Sequence, residues 1–587
     1  MSHTSRIFEN QPITVQNLNG FDLSHIFVGT SKCGQLVPVL RKLLMQGSKI
    51  SVGAAVNVEL PPLATSFFGR IDFCIELFFV PCSILYGGWR QFISNQVATM
   101  FPSSQDSILT NGGYALPVLD FGITKPLLDN FEGSDLVVRA SALDSSNDGL
   151  SDFLGVRVSG LSDVSTSPVE FYVNMLPFLA YHKIVDVFYR NCSTTKTWFA
   201  INPNLSSVDF PTNGVSSVSS KNVSLVWHSF YTSTDLYDES GYPLRAVSSS
   251  SVFTSLSSVT FPDGISLLET RQRTYERDYF TAASVTPQQG NPATLNFQVD
   301  AQGDGEITVH GLRAIVALQR FEEKLNYDPS YRGVMRNLFG SSPSDALLDE
   351  PSYIGRLVLP VYQKSVYNQG GAAVDTATSN PFTNAGIQGS RAAHGSFSGE
   401  GQFCKNYKIG CFGYLMALAS LVPHATYGYG TDREMLATGI GDFPFPDLQT
   451  VGMDEIYNAE LFTVLRDPVD GDPMPFDTFG YLPRYSWMKY KNDMVCGELR
   501  PGKSLESFVL QRVFTDVPEF GTDFVTIAQT DLDGVFATSV ANTNLSCWFE
   551  IYWVFKAVMP LAAFCVPTLG ELHDVHTITT SQGGSRL

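Results

Sequence analysis

Two stretches of strict alternation stand near the two ends of the chain. Ile71, Phe73, Ile75, Leu77 and Phe79 are apolar at every second position, with Asp72, Cys74 and Glu76 between them. A period of two predicts a strand with one buried and one more polar face, and Pro81 ends it. Far downstream, Cys547, Phe549, Ile551, Trp553 and Phe555 alternate with Trp548, Glu550, Tyr552, Val554 and Lys556. Here the second set is itself partly apolar, which predicts cover on both faces. Two such strands so far apart suit a sheet that joins the chain's beginning to its end through Greek-key connections. Between them Leu312, Ile315, Leu318, Phe321 and Leu325 recur every three or four residues, with Arg313, Arg320, Glu323 and Lys324 elsewhere, which predicts a helix. The run Ile409 to Val422 is apolar without a period and reads as helix or buried strand, with Gly410 and Gly413 favouring strand.

Long irregular stretches separate these elements. Residues 1–45 read as an extended arm. Residues 129–168 carry Ser, Asp and Gly with weak periodicity, residues 203–260 are rich in Ser, and residues 366–402 in Gly, Ala, Asn and Ser. Loops this long inside a folded domain are functional or flexible. Val, Phe, Tyr and Trp recur inside the Ser-rich stretch, so it reads as a surface subdomain with short strands. No internal repeat is visible.

Composition sharpens the picture. With 42 Phe, 24 Tyr, 48 Gly and 32 Pro, the chain leans towards an all-β protein with elaborate loops. Only 16% of residues are charged, below the usual roughly 25%. Fewer charges mean either a large core or a surface covered by neighbouring subunits. A net charge of −19 argues against the whole surface binding nucleic acid, though a local basic face remains open. If DNA is enclosed, a basic partner or cations must screen the repulsion. Nine cysteines, an odd number with no C-x-x-C spacing, indicate neither a disulfide framework nor a zinc site and fit a reducing compartment. The polar start, Met1 to Arg6, leads into no apolar run, so no signal peptide is expected. The apolar stretch Phe549 to Val566 is broken by Glu550, Lys556 and Pro560, so no membrane insertion is expected.

Sequence motifs for catalysis fail on inspection. There is no P-loop, nucleophile elbow or paired metal-binding histidine motif. Asp144 to Gly149 resembles the start of a calcium loop, but the closing twelfth position is Gly155, and a solvated turn is the simpler reading. Asp467, Asp470, Asp472 and Asp477 gather hard oxygen ligands without fixed spacing, a weak calcium candidate. Two basic clusters remain. Arg271, Arg273 and Arg277 surround Tyr275, with Tyr279 and Phe280 following. Arg484, Lys489, Lys491, Arg500 and Lys503 are interleaved with Tyr485, Trp487 and Tyr490. Such clusters serve DNA, by tracking phosphates and stacking bases, or serve salt bridges and cation–π contacts between subunits, which an acidic chain favours.

Spaced segments carry a resemblance. Phe21-Asp22-Leu23-Ser24-His25, then Cys33-Gly34-Gln35-Leu36-Val37-Pro38-Val39, open it. Phe78-Phe79-Val80-Pro81 with Trp89 and Phe92-Ile93 follow, then Leu176-Pro177-Phe178, Tyr181 and Tyr189-Arg190-Asn191. The most specific piece is Arg277-Asp278-Tyr279-Phe280-Thr281 with Pro287-Gln288-Gln289-Gly290, and the helix from Leu312 comes after it. Phe479-Gly480-Tyr481-Leu482-Pro483-Arg484-Tyr485 with Met488-Lys489-Tyr490-Lys491, and the late strand ending in Val566-Pro567-Thr568-Leu569-Gly570, complete it. In this order, from about Phe21 to Gly570, the chain resembles the major capsid proteins of the microviruses, small icosahedral single-stranded-DNA bacteriophages, and especially their gokushovirus-like branch. Departures mark a divergent lineage. Only Asn291 to Glu306 lie where that branch carries its long threefold-axis insertion, and the extra length lies instead between Asn191 and Arg271. Tyr331-Arg332-Gly333-Val334 keeps its motif poorly, and the tail after Gly570 is long.

The resemblance implies an all-β fold, an eight-stranded viral jelly roll with long inserted loops and a few helices. It implies sixty copies in a T=1 shell around a circular single-stranded DNA genome, and no enzymatic activity or cofactor. Further partners would be a small basic DNA-binding protein, a pilot or spike protein and a host surface receptor. The protein would reside in the virion after assembly in the bacterial cytoplasm. The expected parts are an N-terminal arm (1–45), jelly-roll strands and loops (46–190), a Ser-rich surface insertion (191–270), the remaining core with inserted loops (271–570) and a tail (571–587). The competing reading is a jelly-roll carbohydrate-binding or phage receptor-binding protein using Trp and Tyr of 191–270 on sugar. A third, a cell-wall hydrolase, lacks a visible acid/base pair.

Overall fold

The computed structural model describes residues 18–61, 67–85, 149–156, 172–191, 269–288, 309–327, 331–340, 350–367, 391–449, 452–463, 474–514, 516–532 and 546–561, the short pieces 118–120 and 137–139, and residues 63, 89, 93, 194 and 536. Most of the Ser-rich insertion, the tail, Gly290, Asp467, Asp470 and Asp472 lie outside the described residues. In chain order the strands are β1 (Asn19–Asp22), β2 (His25–Ser31), β3 (Val37–Leu44), β4 (Lys49–Glu59), β5 (Ile71–Pro81), β6 (Val118–Asp120), β7 (Val137–Arg139) and β8 (Tyr172–Asn174). Then come β9 (Ser352–Pro360), β10 (Tyr362–Tyr367), β11 (Arg391–Lys408), β12 (Gly413–Pro423), β13 (Met453–Tyr457), β14 (Thr478–Pro483) and β15 (Cys547–Met559). The longer helices are α1 (Leu176–Phe188), α2 (Val309–Tyr327) and α3 (Tyr331–Phe339). The protein is mostly β-sheet with few helices.

Two sheets face one another. The first runs β1-β15-β4-β11-β10, with β2 also pairing β15, and the second runs β3-β12-β5-β9. The late strand β15 lies antiparallel to β4 from Trp548↔Glu59 to Val558↔Lys49, and its other edge pairs with β2 and β1. β15 is therefore held between β4 on one edge and the early strands β2 and β1 on the other. The stretch 1–45, expected to be an arm, holds β1 to β3 from Asn19 to Leu44 inside these two sheets. One expectation needs correction: β5 and β15 do not share a sheet but meet across the core, where the Phe73 and Phe549 rings are 5.0 Å apart.

Burial explains the patterns. β15 alternates buried and exposed along most of its length, with Phe549, Ile551, Trp553 and Phe555 inward. From β4, Ile50, Val52, Val56 and Val58 join the same core, as do Phe73, Ile75 and Leu77 from β5. The Trp553 indole N–H donates to the Val39 carbonyl at 3.2 Å, so the one polar atom of this buried ring is satisfied. β12 is buried at every position, which resolves the ambiguous run as a strand covered on both faces. α1 provides much of the cover, with Phe78 of β5 against Phe188 at 4.9 Å between ring centroids. The outer face of β5 is thereby buried as well, contrary to the more polar face its pattern predicted. On β15 the deviation is opposite: Trp548, Tyr552 and Val554 remain 38%, 46% and 40% exposed, so the second apolar face is left open among the described residues.

Candidate functional site

Residues 271–275 form a strap bonded on both sides. Leu36 N–H donates to Arg271 O (2.9 Å) and Arg273 N–H to Gly34 O (2.7 Å). On the other side Tyr275 N–H donates to Val525 O and Ile527 N–H to Arg273 O, both at 2.9 Å. Gly34 has φ 68°, and a Cβ there would sit 2.6 Å from Ile527, so the turn at this motif needs glycine.

The strap draws two arginines inside. Arg271 is 1% exposed; its backbone N–H donates to the Tyr181 hydroxyl at 2.7 Å, and that hydroxyl donates to Leu36 O at 2.9 Å. Arg273 Nη1 donates to Glu76 Oε2 at 3.2 Å and to Ser420 Oγ at 3.1 Å. Glu76 also accepts from the Tyr189 hydroxyl and pairs with Arg356 Nε at 3.3 Å, and Arg356 Nη2 reaches Glu276 at 2.5 Å. Burial raises the Tyr189 hydroxyl well above its usual pKa, and the hydrogen bond from Arg356 holds Glu276 below the usual carboxylate value. Two of the basic residues singled out in the sequence are thus engaged inside the chain, where they tie β5, β12, α1 and the strap together. Glu76 and Arg356 carry this network; the sequence placed Glu76 only on the more polar face of its strand and did not single out Arg356. The available signal was a carboxylate inside an otherwise apolar strand, since a buried charge demands a partner.

The motif that follows nucleates a second core. Asp278 Oδ1 accepts the N–H groups of Phe280 (2.9 Å) and Thr281 (2.7 Å), and its Oδ2 accepts from the Tyr427 hydroxyl at 2.7 Å. Tyr279 donates to Glu460 Oε2 at 2.9 Å. Phe280 packs against Tyr427 and Phe479, whose centroids lie 4.8 and 6.3 Å away. Ser284 and Tyr481 exchange backbone hydrogen bonds of 2.9 Å. The motif beginning at Arg277 therefore meets the motif 479–485, which sits on β14. Buried Gln288 donates to Glu322 Oε2 of α2 at 3.2 Å, and Pro287 beside it is exposed. Glu460, another residue missed in the sequence, also accepts from Arg433 at 2.8 Å and from Tyr457 N–H at 3.0 Å. Burial pushes its carboxyl above the usual value, against those three donors.

The remaining basic candidates lie outward. Arg277 and Lys489 are exposed. Lys491 is exposed and pairs with Asp432 at 2.7 Å. Arg484 is half-buried, 3.6 Å from Asp454 and over the Tyr485 ring at 5.3 Å. Asp477 Oδ2 accepts the N–H of Met474 at 2.6 Å. Among the described residues no group of three or more His, Cys, Asp or Glu could hold a metal ion. No described helix is long and apolar enough to cross a membrane.

Comparison with known proteins points one way. A family described as "Capsid protein (F protein)" matches residues 14–111 and 161–568. The chain is 21% identical to Capsid protein VP1 of Chlamydia phage 1, over 96% of this chain and 98% of that protein. It is 20% identical to Capsid protein VP1 of Bdellovibrio phage phiMH2K, with the same coverage of 96% and 98%.

Proposed function

This chain belongs to the phage capsid F-protein family and is a structural capsid protein, and from that premise we propose that it closes into a T=1 shell of sixty copies. The shell holds a circular single-stranded DNA genome. The subunit is an eight-stranded viral jelly roll. Supporting this is the strand order: β2-β15-β4-β11 faces β3-β12-β5-β9, so strands remote in sequence alternate between two layers. The chain assembles and does not catalyse. Its organisation is a jelly roll that takes in β2 and β3 and continues over 46–190 and 271–570, the Ser-rich insertion 191–270 on the surface, and a tail from 571.

The single observation that carries the reading is that a family match spanning most of the chain coincides with two facing sheets of this order. Closed symmetry then lets each subunit bury its modest patches against copies of itself. Arg277, Arg484, Lys489 and Lys491, at or near the surface, are proposed contacts to DNA or to neighbouring subunits. With a net charge of −19, packaging needs a small basic DNA-binding protein or cations. A pilot or spike protein and a host receptor complete the partners, and assembly takes place in the bacterial cytoplasm. A calcium ion at Asp467, Asp470 and Asp472 would be an additional feature.

Electron microscopy of the purified full-length protein tests this. Uniform closed shells are expected. Discrete monomers or trimers that bind glycan would establish the carbohydrate-binding reading instead. Deleting residues 205–260 should leave shells intact while host attachment falls; loss of all soluble protein would refute the surface placement.

A further inference from the structure

Helix α2 is held by its polar side. Gly311, Ile315, Gln319, Glu322 and Asn326 form its inward stripe. Gln319 donates to Gln288, and Asn326 Nδ2 donates to Thr286 O at 2.6 Å. On the opposite side Arg313, Ala317, Arg320 and Lys324 recur at helical spacing and are exposed, a basic ridge. Apolar residues flank the ridge. Leu312 and Val316 are 53% and 43% exposed on one side, and Leu318 and Phe321 are 48% and 44% exposed on the other. This helix keeps its apolar residues in water although it is anchored.

A second surface has complementary character. The segment 433–449 exposes Met435, Ile440, Phe443 and Phe445 by 78%, 82%, 56% and 43%. It is an ordered excursion, since Asp442 Oδ2 accepts the N–H groups of Thr438 (3.0 Å) and Gly439 (2.8 Å). Its charges are Glu434, Asp442 and Asp447, while its one cation, Arg433, is paired with Glu460 at 2.8 Å. The segment is thus an apolar surface with acidic edges.

We infer that the acidic, apolar segment 433–449 of one copy docks on the basic, apolar outer face of α2 of the next copy. Opposite charge sets the register and excludes self-pairing of either patch, while the apolar residues supply the burial. Because the two patches differ, the contact is head-to-tail, and repetition closes a ring around a symmetry axis. The inference rests on the shell reading and adds to it one specific interface.

The test uses full-length chains with the exposed Cys496 changed to Ser. Val316→Cys and Ile440→Cys chains are assembled together and mildly oxidised. A disulfide-linked dimer of the two variants is expected, absent from either variant alone. In parallel, Arg313→Glu with Arg320→Glu, or Glu434→Lys with Asp447→Lys, should lower shell yield about tenfold or more, and combining all four reversals should restore it. These positions are exposed, so circular dichroism and melting of the single chain should not change. Shells that form without the cross-link, or reversals that fail to rescue each other, overturn the docking alone. Absence of shells from the unaltered chain sinks the shell reading and the docking with it.

Discussion

Removing the Glu76 side chain tests whether the arginine strap is a structural device. Arg273 and Glu76 expose only 8% and 11% of their side chains. Glu76→Ala leaves the Arg273 guanidinium buried with Ser420 Oγ at 3.1 Å as a neutral acceptor, and strands the Tyr189 hydroxyl. Breaking one side of a buried pair costs about 3–5 kcal/mol, because the remaining charge stays desolvated and uncompensated. Arg356 keeps Glu276 as a partner at 2.5 Å, so the lower end, about 3 kcal/mol, applies. Arg70→Ala is the internal comparison: its pair with Asp72 is 2.8 Å long, but Arg70 is 61% exposed, and loss of an exposed pair costs about 0.2–1 kcal/mol. Urea titration of unassembled chain reads both as midpoint shifts at unchanged slope. The double variant Glu76→Leu with Arg273→Met should recover much of the loss, since an apolar pair of similar volume has no stranded charge. If Glu76→Ala proves as mild as Arg70→Ala, or the double variant is worse than the single, the strap does not work through this pair.

Three further outcomes follow from the same geometry. Among the described cysteines, Cys496 is exposed and should be alkylated rapidly in the native chain, while Cys82 and Cys547, buried with pKa values pushed up to about 12 by that burial, should react only after unfolding; mass mapping of labelled peptides checks this. Gly430→Ala should destabilise by about 1–3 kcal/mol in the same urea assay, because a Cβ there falls 1.9 Å from the Glu460 carbonyl oxygen, a backbone atom that cannot turn aside. For Glu460, burial places the folded carboxyl above its ordinary 4.5, so the stability it contributes is greatest in acid and declines as pH rises through the window between the two values. Relative to Glu460→Gln, the unaltered chain should therefore lose stability from pH 4 upward; a gain over that range would refute the direction.

The legible and illegible parts of the sequence separate along physical lines. Alternation at Ile71–Phe79 and Cys547–Phe555 marked β5 and β15, because a strand with one fully buried face must show a period of two. It did not say that the two lie in opposite sheets, since pairing is decided by partners that alternation does not name. The run 409–422 lost its period because β12 is covered on both sides. Arg273 looked like part of a contact cluster until Glu76, far away in sequence, supplied the counter-charge that makes its burial tolerable. The words around Asp278 and Phe479 were each readable, yet their contact in the second core was not.

One expectation of burial and one helical period meet solvent in the single chain, and in the same direction. The second apolar face of β15 was expected to be covered, and the apolar positions of α2 followed the period of a core-facing helix. In the single chain Trp548, Tyr552, Leu312, Leu318 and Phe321 stand in water to between 38% and 53%. A sequence records every burial that its residues must satisfy, whichever chain supplies the other half. For a monomer, these positions would be costly without return, because an anchored helix gains nothing from apolar residues facing solvent. On the docking proposed above, the α2 positions become core residues whose core is completed on assembly. Under that proposal the period along α2 is a burial signal whose other half lies on a second copy.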